Sequence, residues 1–202
     1  MRRKIYYVHG NLAICLTCLL LIFIQLSVLA AEAQPTVRAL VQVFVNWDGS
    51  GFGTAIANDA AQYIDYMRMS SEALGSKTWE KLTEKERQEF AGAFKKLIEK
   101  RYYKRWHKIF QASKISFGQE LTLPNGLIRL PSQVKLGEDV MEIDWDLSGH
   151  EKNAKLVNLT VDGKDLTTRA GRRLQSELSK RGFAGFMSWL NAQSASVSDH
   201  DS

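Results

Sequence analysis

Between Thr83 and Phe110 the chain reads TEKERQEFAGAFKKLIEKRYYKRWHKIF, a run without proline that constrains the fold more than any other stretch. Thr83 with Glu86 three residues later is a capping box, in which each side chain satisfies a backbone N–H at a helix start. Phe90, Phe94, Leu97 and Ile98 then share one face, and Tyr102, Trp106 and Ile109 continue the stripe with a slow rotation about the axis. At about 1.5 Å per residue this helix reaches roughly 40 Å, longer than the ~30 Å of a bilayer core. Arg101 and Arg105 interrupt the stripe, and a bend is expected there.

After Phe110 the period changes from helical to alternating. VMEIDWDLSG sends Met141, Ile143, Trp145 and Leu147 one way and Glu142, Asp144 and Asp146 the other. AKLVNLTVDG alternates through Val157, Leu159 and Val161, and ISFGQELTLPNGLIRLPSQV carries short apolar runs around a Pro-Asn-Gly turn. These segments predict an antiparallel meander with one packed and one wet face, and the long helix is the expected cover for the packed face.

The flanking segments are helical in character. In PTVRALVQVFVNW, Val37, Leu40, Val41, Phe44 and Val45 fall at helical spacing and Pro35 suits a helix start, although the β-branched content makes a strand nearly as defensible. DGSGFGTA follows; its glycines do not give the full GxGxxG order of a dinucleotide site and read as a flexible turn. From Ala57 to Leu74 a helix should carry Ile64, Met67 and Leu74 inward, with Gly75 after its end. Toward the C-terminus, Leu174 and Leu178 face inward ahead of a stop at Gly182, and Phe183, Phe186, Met187 and Leu190 make a short apolar helix. A polar tail at 193–202 is expected to be disordered.

The first 33 residues read as a leader. Arg2, Arg3 and Lys4 precede an apolar run from Leu12 to Leu29, and Ala31, Glu32 and Ala33 offer a small-residue cleavage site. Cleavage after Ala33 leaves 169 of the 202 residues, enough for one domain spanning 34–192, and removes Cys15 and Cys18. The run is long for a cleaved signal, so an uncleaved anchor is the alternative. Without its leader the chain has a formal net charge of +3 instead of +5, too small to demand a nucleic-acid partner and compatible with anionic head groups.

Catalytic and metal signals are sparse. His107, His150 and His200 show no ligand spacing, and His107 and His150 read as solvated or hydrogen-bonded surface histidines. Glu142, Asp144 and Asp146 converge on one strand face, which reads as a solvated face ahead of a cation site or paired carboxylates. The interleaved rings and cations of KRYYKRWHK suit a nucleic-acid surface, yet Tyr102 and Trp106 continue an apolar stripe and so suit burial better.

The segment EALGSKTWEKLTEKERQEFAGAFKKLIEKRYYKRW resembles the MlaC-like, toluene-tolerance family of periplasmic phospholipid-binding proteins. The likeness runs through Leu74, Gly75, Trp79, Leu82, Thr83, Arg87, Phe90, Phe94, Leu97 and Tyr102. IDWDL is similar to the family's central strand, KLVNLTVDGKDL to its next strand and turn, and LSKRGFAGFMSWL to its closing helix. The chain departs from the family at Ala154, where a tryptophan is common, at Asn158 in place of an aspartate, and at Arg169, Ala170 and Gly171 in place of Asn-Tyr-Arg. These departures leave open a divergent branch serving another lipid, such as a hopanoid.

The resemblance implies an α+β, NTF2-like fold, with helices over a curved antiparallel sheet that encloses an apolar lipid cavity. It implies a periplasmic carrier, not an enzyme, with no cofactor. Its partners would be a phospholipid or other membrane lipid, an inner-membrane ABC transporter complex and an outer-membrane lipoprotein complex, with transient membrane contact and no nucleic acid. Expected lipid-binding residues are Phe90, Phe94, Leu97, Ile98, Tyr102 and Trp106 from the helix and Ile143, Trp145, Val157 and Leu159 from the sheet. Arg101 and Arg105 are expected at the head group. A small periplasmic enzyme of similar fold and a membrane-anchored scaffold are the alternatives.

Overall fold

The computed structural model describes residues 33–49, 54–149 and 153–196. Nearly all of the expected leader, part of the glycine turn, His150, His200 and the end of the tail lie outside these residues; Ala33 opens the first helix. Chain order is α1 (Ala33–Asn46), α2 (Thr54–Ala61), α3 (Tyr66–Leu74), α4 (Ser76–Trp79), α5 (Glu84–Ala112), β1 (Lys114–Phe117), β2 (Leu121–Thr122), β3 (Ile128–Leu136), β4 (Asp139–Ser148), β5 (Lys155–Val161), β6 (Lys164–Asp165) and α6 (Leu166–Ser196). The fold is α+β: helices on an antiparallel sheet ordered β1-β3-β4-β5-β6, with β2 also paired to β3.

The capping box forms as the sequence predicts. Thr83 Oγ1 accepts from Glu86 N, and the Glu86 carboxylate accepts from Thr83 N at 2.8 Å. From there α5 is uninterrupted at Arg101 and Arg105. What changes along it is the buried face. Phe90, Phe94 and Ile98 recur every four residues; after a step of five, Tyr103, His107 and Phe110 take over. Phe90 in the first half packs on Phe186 of α6 and Phe110 in the second on Phe44 of α1, while Tyr103 meets Tyr66 of α3. His107, expected at the surface, is therefore buried, and its Nδ1 donates to the Phe44 carbonyl at 2.8 Å.

The expected helix from Ala57 to Leu74 is two helices. Between them Leu156 N donates to Tyr63 O, and Asp65 N donates to Leu156 O, which joins Ile64 to the sheet in a parallel bridge. Backbone groups given to the sheet cannot serve a helical ladder, so the helix breaks there. Asp65 restarts it by accepting from Arg68 N. The restart sets a new phase: Met69 is buried and Met67, expected inside, is 40% exposed.

The meander is in register as the alternation predicts, with Ile143 opposite Ser132 and Trp145 opposite Leu130. Trp145 is 1% exposed, and its indole N–H donates to Ser132 Oγ, which donates on to Ile143 O. A bulge interrupts β4 and β5: Asp146 pairs with Asn158 and Leu147 with Leu156, so Val157 has no register partner. Leu156 thereby joins the main core cluster, where alternation had placed Val157, and Val157 is fully buried outside that cluster. On the opposite face Asp146 is 3% exposed, against the expected wet position, because Arg129 clamps its carboxylate at 2.6 and 2.8 Å.

Helix α6 carries Gly182 at φ 64°, a kink where the sequence signals a stop. Beyond it Phe186 and Leu190 are buried, and the helix reaches Ser196 with Ser194 inside, so residues 193–196 are ordered where a tail was expected. Gly171 lies where α6 crosses α3; a Cβ there would sit 2.2 Å from Ala73 O. Absence of a side chain lets the two backbones meet.

Candidate functional site: an apolar groove

By backbone approach α5 lies nearer to α1, α3 and α6 than to the sheet, whose packed face it covers at side-chain distance. It reaches the sheet through large side chains: the Phe110 and Trp145 rings lie 5.9 Å apart. The gap this leaves is the candidate site. Its upper depression, about 70 Å³, is lined by Phe94, Leu97, Ile98, Tyr102 and Trp106 of α5, with Met69, Leu159 and Leu166 opposite. Its lower depression, about 100 Å³, lies between Tyr102, Trp106, Ile109 and Phe110 of α5 and Met141, Ile143, Trp145, Leu159 and Val161 of the sheet. Tyr102, Trp106, Leu159 and Leu166 belong to both and form the partition.

The elements hold this lining by local chemistry. Tyr102 stacks on Trp106 at 5.9 Å, one turn apart, and Phe44 meets Trp106 edge-on at 5.3 Å. Asn158 fixes the start of α6: its Nδ2 donates to Asp165, and its Oδ1 accepts from Thr167 N. Asp165 also accepts from Thr168 N. Leu166 and Ala170, which line the upper depression, are positioned by that junction.

Arg101 lines the upper depression and Arg105 the lower, and both are exposed. The groove therefore has apolar walls and one guanidinium beside each half. A wider depression of about 710 Å³ between α1 and α2 bears Gln42, Asn46, Asp48 and Asp59. Val43, Trp47, Ile56 and Tyr63 line it as well, and among its described lining residues there is no cation to meet a phosphate.

Of the residues expected at the site, Phe94, Leu97, Ile98, Tyr102, Trp106, Ile143, Trp145 and Leu159 come together here, as do Arg101 and Arg105. Two do not. Phe90 is enclosed by Trp79, Phe94 and Phe186, and Val157 is the unpaired bulge residue. Met141 and Val161 were legible from the same strand alternation; Met69, Leu166 and Ala170 depend on how α3 and α6 are docked.

Behind the groove, Tyr66 and Tyr103 share a hydroxyl–hydroxyl hydrogen bond, and burial pushes both phenols well above their ordinary range. Glu99 stands near them with its pKa raised, chiefly by burial; Lys95, 3.6 Å from Oε1, offsets part of this. That oxygen has no hydrogen-bond partner among the described residues. Among those residues no group of three or more His, Cys, Asp or Glu is placed to hold a metal ion.

Comparison with known proteins bears on this architecture. A phospholipid-binding protein from Ralstonia solanacearum, solved in complex with a phospholipid, superposes with a TM-score of 0.69 at 17% identity, covering 83% of this chain and 99% of that one. No curated protein matches the chain. The sequence model of the MlaC protein family matches residues 48–192, which contain α2 to α5, the whole sheet and most of α6, and the chain belongs to the MlaC family.

Proposed function

We propose that the protein is a periplasmic lipid carrier that takes the acyl chains of a phospholipid or related lipid into the groove between α5 and the sheet. The observation that carries this reading is the groove itself: apolar on both walls, with Arg101 and Arg105 at its two halves. An acyl tail costs about 0.8 kcal/mol per CH₂ in water, so sixteen carbons carried bare cost roughly 13 kcal/mol. A carrier between membranes must cover that surface. The guanidiniums supply planar, permanently charged donors for a phosphate at the mouth.

The two depressions, about 70 and 100 Å³, are small beside the roughly 300–1,000 Å³ typical of ligand pockets. Loading therefore requires the partition to yield, and its half-buried members Tyr102, Trp106 and Leu166 are the side chains able to turn. The mechanism is binding and release without a covalent step. Lipid would be collected at an inner-membrane ABC transporter complex or an outer-membrane lipoprotein complex and surrendered at the other, a docked partner shifting affinity between two states of the groove.

Residues 34–192 form the carrier domain in this reading, exported by the leader over 1–33. The Ralstonia protein's bound phospholipid supports the cargo class. The test is native mass spectrometry of the purified mature protein with extraction of whatever lipid accompanies it. A lipid at defined stoichiometry is expected; a protein that stays empty after incubation with liposomes overturns the carrier.

A further inference from the structure

The outward side of α5 carries a feature that the groove does not use. Lys96, Lys100, Lys104 and Lys108 recur every four residues, over about 18 Å at 1.5 Å per residue. Arg101 and Arg105 lie beside this row. Lys96, Lys100, Arg101, Arg105 and Lys108 are exposed. The one acidic side chain in this part of the helix, Glu99, is turned toward Lys95. Among the described residues no ion pair reaches Lys100, Arg101, Arg105 or Lys108. Lys104 is half-buried and has an interaction of its own, and Lys96 lies near Glu99, so the uncompensated charge of this face is that of Lys100, Arg101, Arg105 and Lys108.

The occupant follows from what the row lacks. The large apolar side chains exposed among the described residues are Met67, Leu121 and Val140, none of them on α5. Protein interfaces are anchored by apolar or aromatic side chains that become buried at their centre. Of the rings of this stretch, Tyr103 is buried, and Tyr102 and Trp106 are half-buried, stacked on each other and lining the groove instead of standing on the lysine row as a platform for bases. A row of cations without an apolar anchor matches a surface of many diffuse negative charges, which is what an anionic bilayer presents.

We propose that the Lys96–Lys108 row of α5 docks the protein on an anionic lipid surface. Arg101 and Arg105 belong both to this basic face and to the groove, so docking turns the groove mouth toward the head groups. The purpose of the docking rests on the carrier reading; the docking itself does not.

Vesicle flotation tests it, using the mature protein with phosphatidylcholine vesicles, with and without added phosphatidylglycerol. The protein is expected to float with the anionic vesicles at low salt, to be released at high salt, and to ignore the neutral ones. Lys100→Glu with Lys108→Glu, both outside the groove, should weaken partitioning by about tenfold or more, with melting temperature and co-purifying lipid unchanged. If the reversal unfolds the chain, Lys100→Gln with Lys108→Gln must still weaken partitioning severalfold. Equal flotation on neutral vesicles, or no change in the variants, overturns the proposal. No flotation at all also overturns it and leaves the row to an acidic protein surface. A protein that floats but never carries lipid defeats the carrier reading alone.

Discussion

Tyr102 and Trp106 stack one helical turn apart, ring centroids 5.9 Å apart and planes 23° from parallel, and their side chains stand between the two depressions. Removing the larger ring should join them. Trp106→Ala is expected to cost about 1–3 kcal/mol in chemical denaturation, less than a fully buried tryptophan because Trp106 is half-buried. Lipid uptake from liposomes should be faster in the variant, since a barrier to filling is gone.

A charge in the groove should separate lipid retention from folding. Phe94 is a poor place for it, because it is buried and stacked on Phe90, and an aspartate there would bury an unpaired carboxylate. Tyr102 is half-buried on the groove wall. Tyr102→Asp is expected to leave the circular dichroism spectrum intact and to remove most co-purifying lipid. Full retention by the folded variant would take Tyr102 out of the lipid path.

The Arg129–Asp146 clamp predicts an asymmetry. The Asp146 side chain is 4% exposed and that of Arg129 29%, so the partner left behind matters. Arg129→Ala strands a buried carboxylate and should cost about 3–5 kcal/mol, whereas Asp146→Ala leaves a cation that can reach water and should cost about 1–3 kcal/mol. Urea denaturation of both variants checks the order.

Where Gly171 meets Ala73, any side chain must push α6 away from α3. Gly171→Ala is expected to destabilise by about 1–3 kcal/mol in spite of alanine's better helix propensity. A variant as stable as the parent would show that the two helices separate at no cost.

Glu99 sets a pH dependence of definite sign. Its carboxyl titrates above its unfolded value, so the folded state holds the proton more tightly, and stability falls as pH rises from the ordinary carboxylate range through the raised pKa. Glu99→Gln should raise the melting temperature at neutral pH and remove that part of the pH dependence. Thermal melts across the acid-to-neutral range read it directly.

Local rules made much of this protein legible. The Thr83–Glu86 box, Gly75 after α3, the kink at Gly182 and the alternation of β4 each depend on residues a few positions apart, and each is where the sequence puts it. The motif order around Trp79, Phe90 and Phe94 carried the family resemblance. Of the groove, the α5 wall and the β4 residues Ile143 and Trp145 followed from helical and strand periodicity.

Pairing between distant segments decided the rest. Leu156 takes the hydrogen bonds that would have kept residues 57–74 in one helix, and so exchanges Met67 for Met69 inside. An extra residue in β5 puts Leu156 in the main core cluster in place of Val157, which is buried at the bulge, and Arg129 makes an interior site for Asp146. The groove lies where α5, held by the other helices, meets the packed face of the sheet through large side chains. Periodicity sets which side of an element is apolar; the distance to the surface facing that side is fixed by packing between segments far apart in the chain, and it determines whether the apolar side closes into core or stays open as a groove.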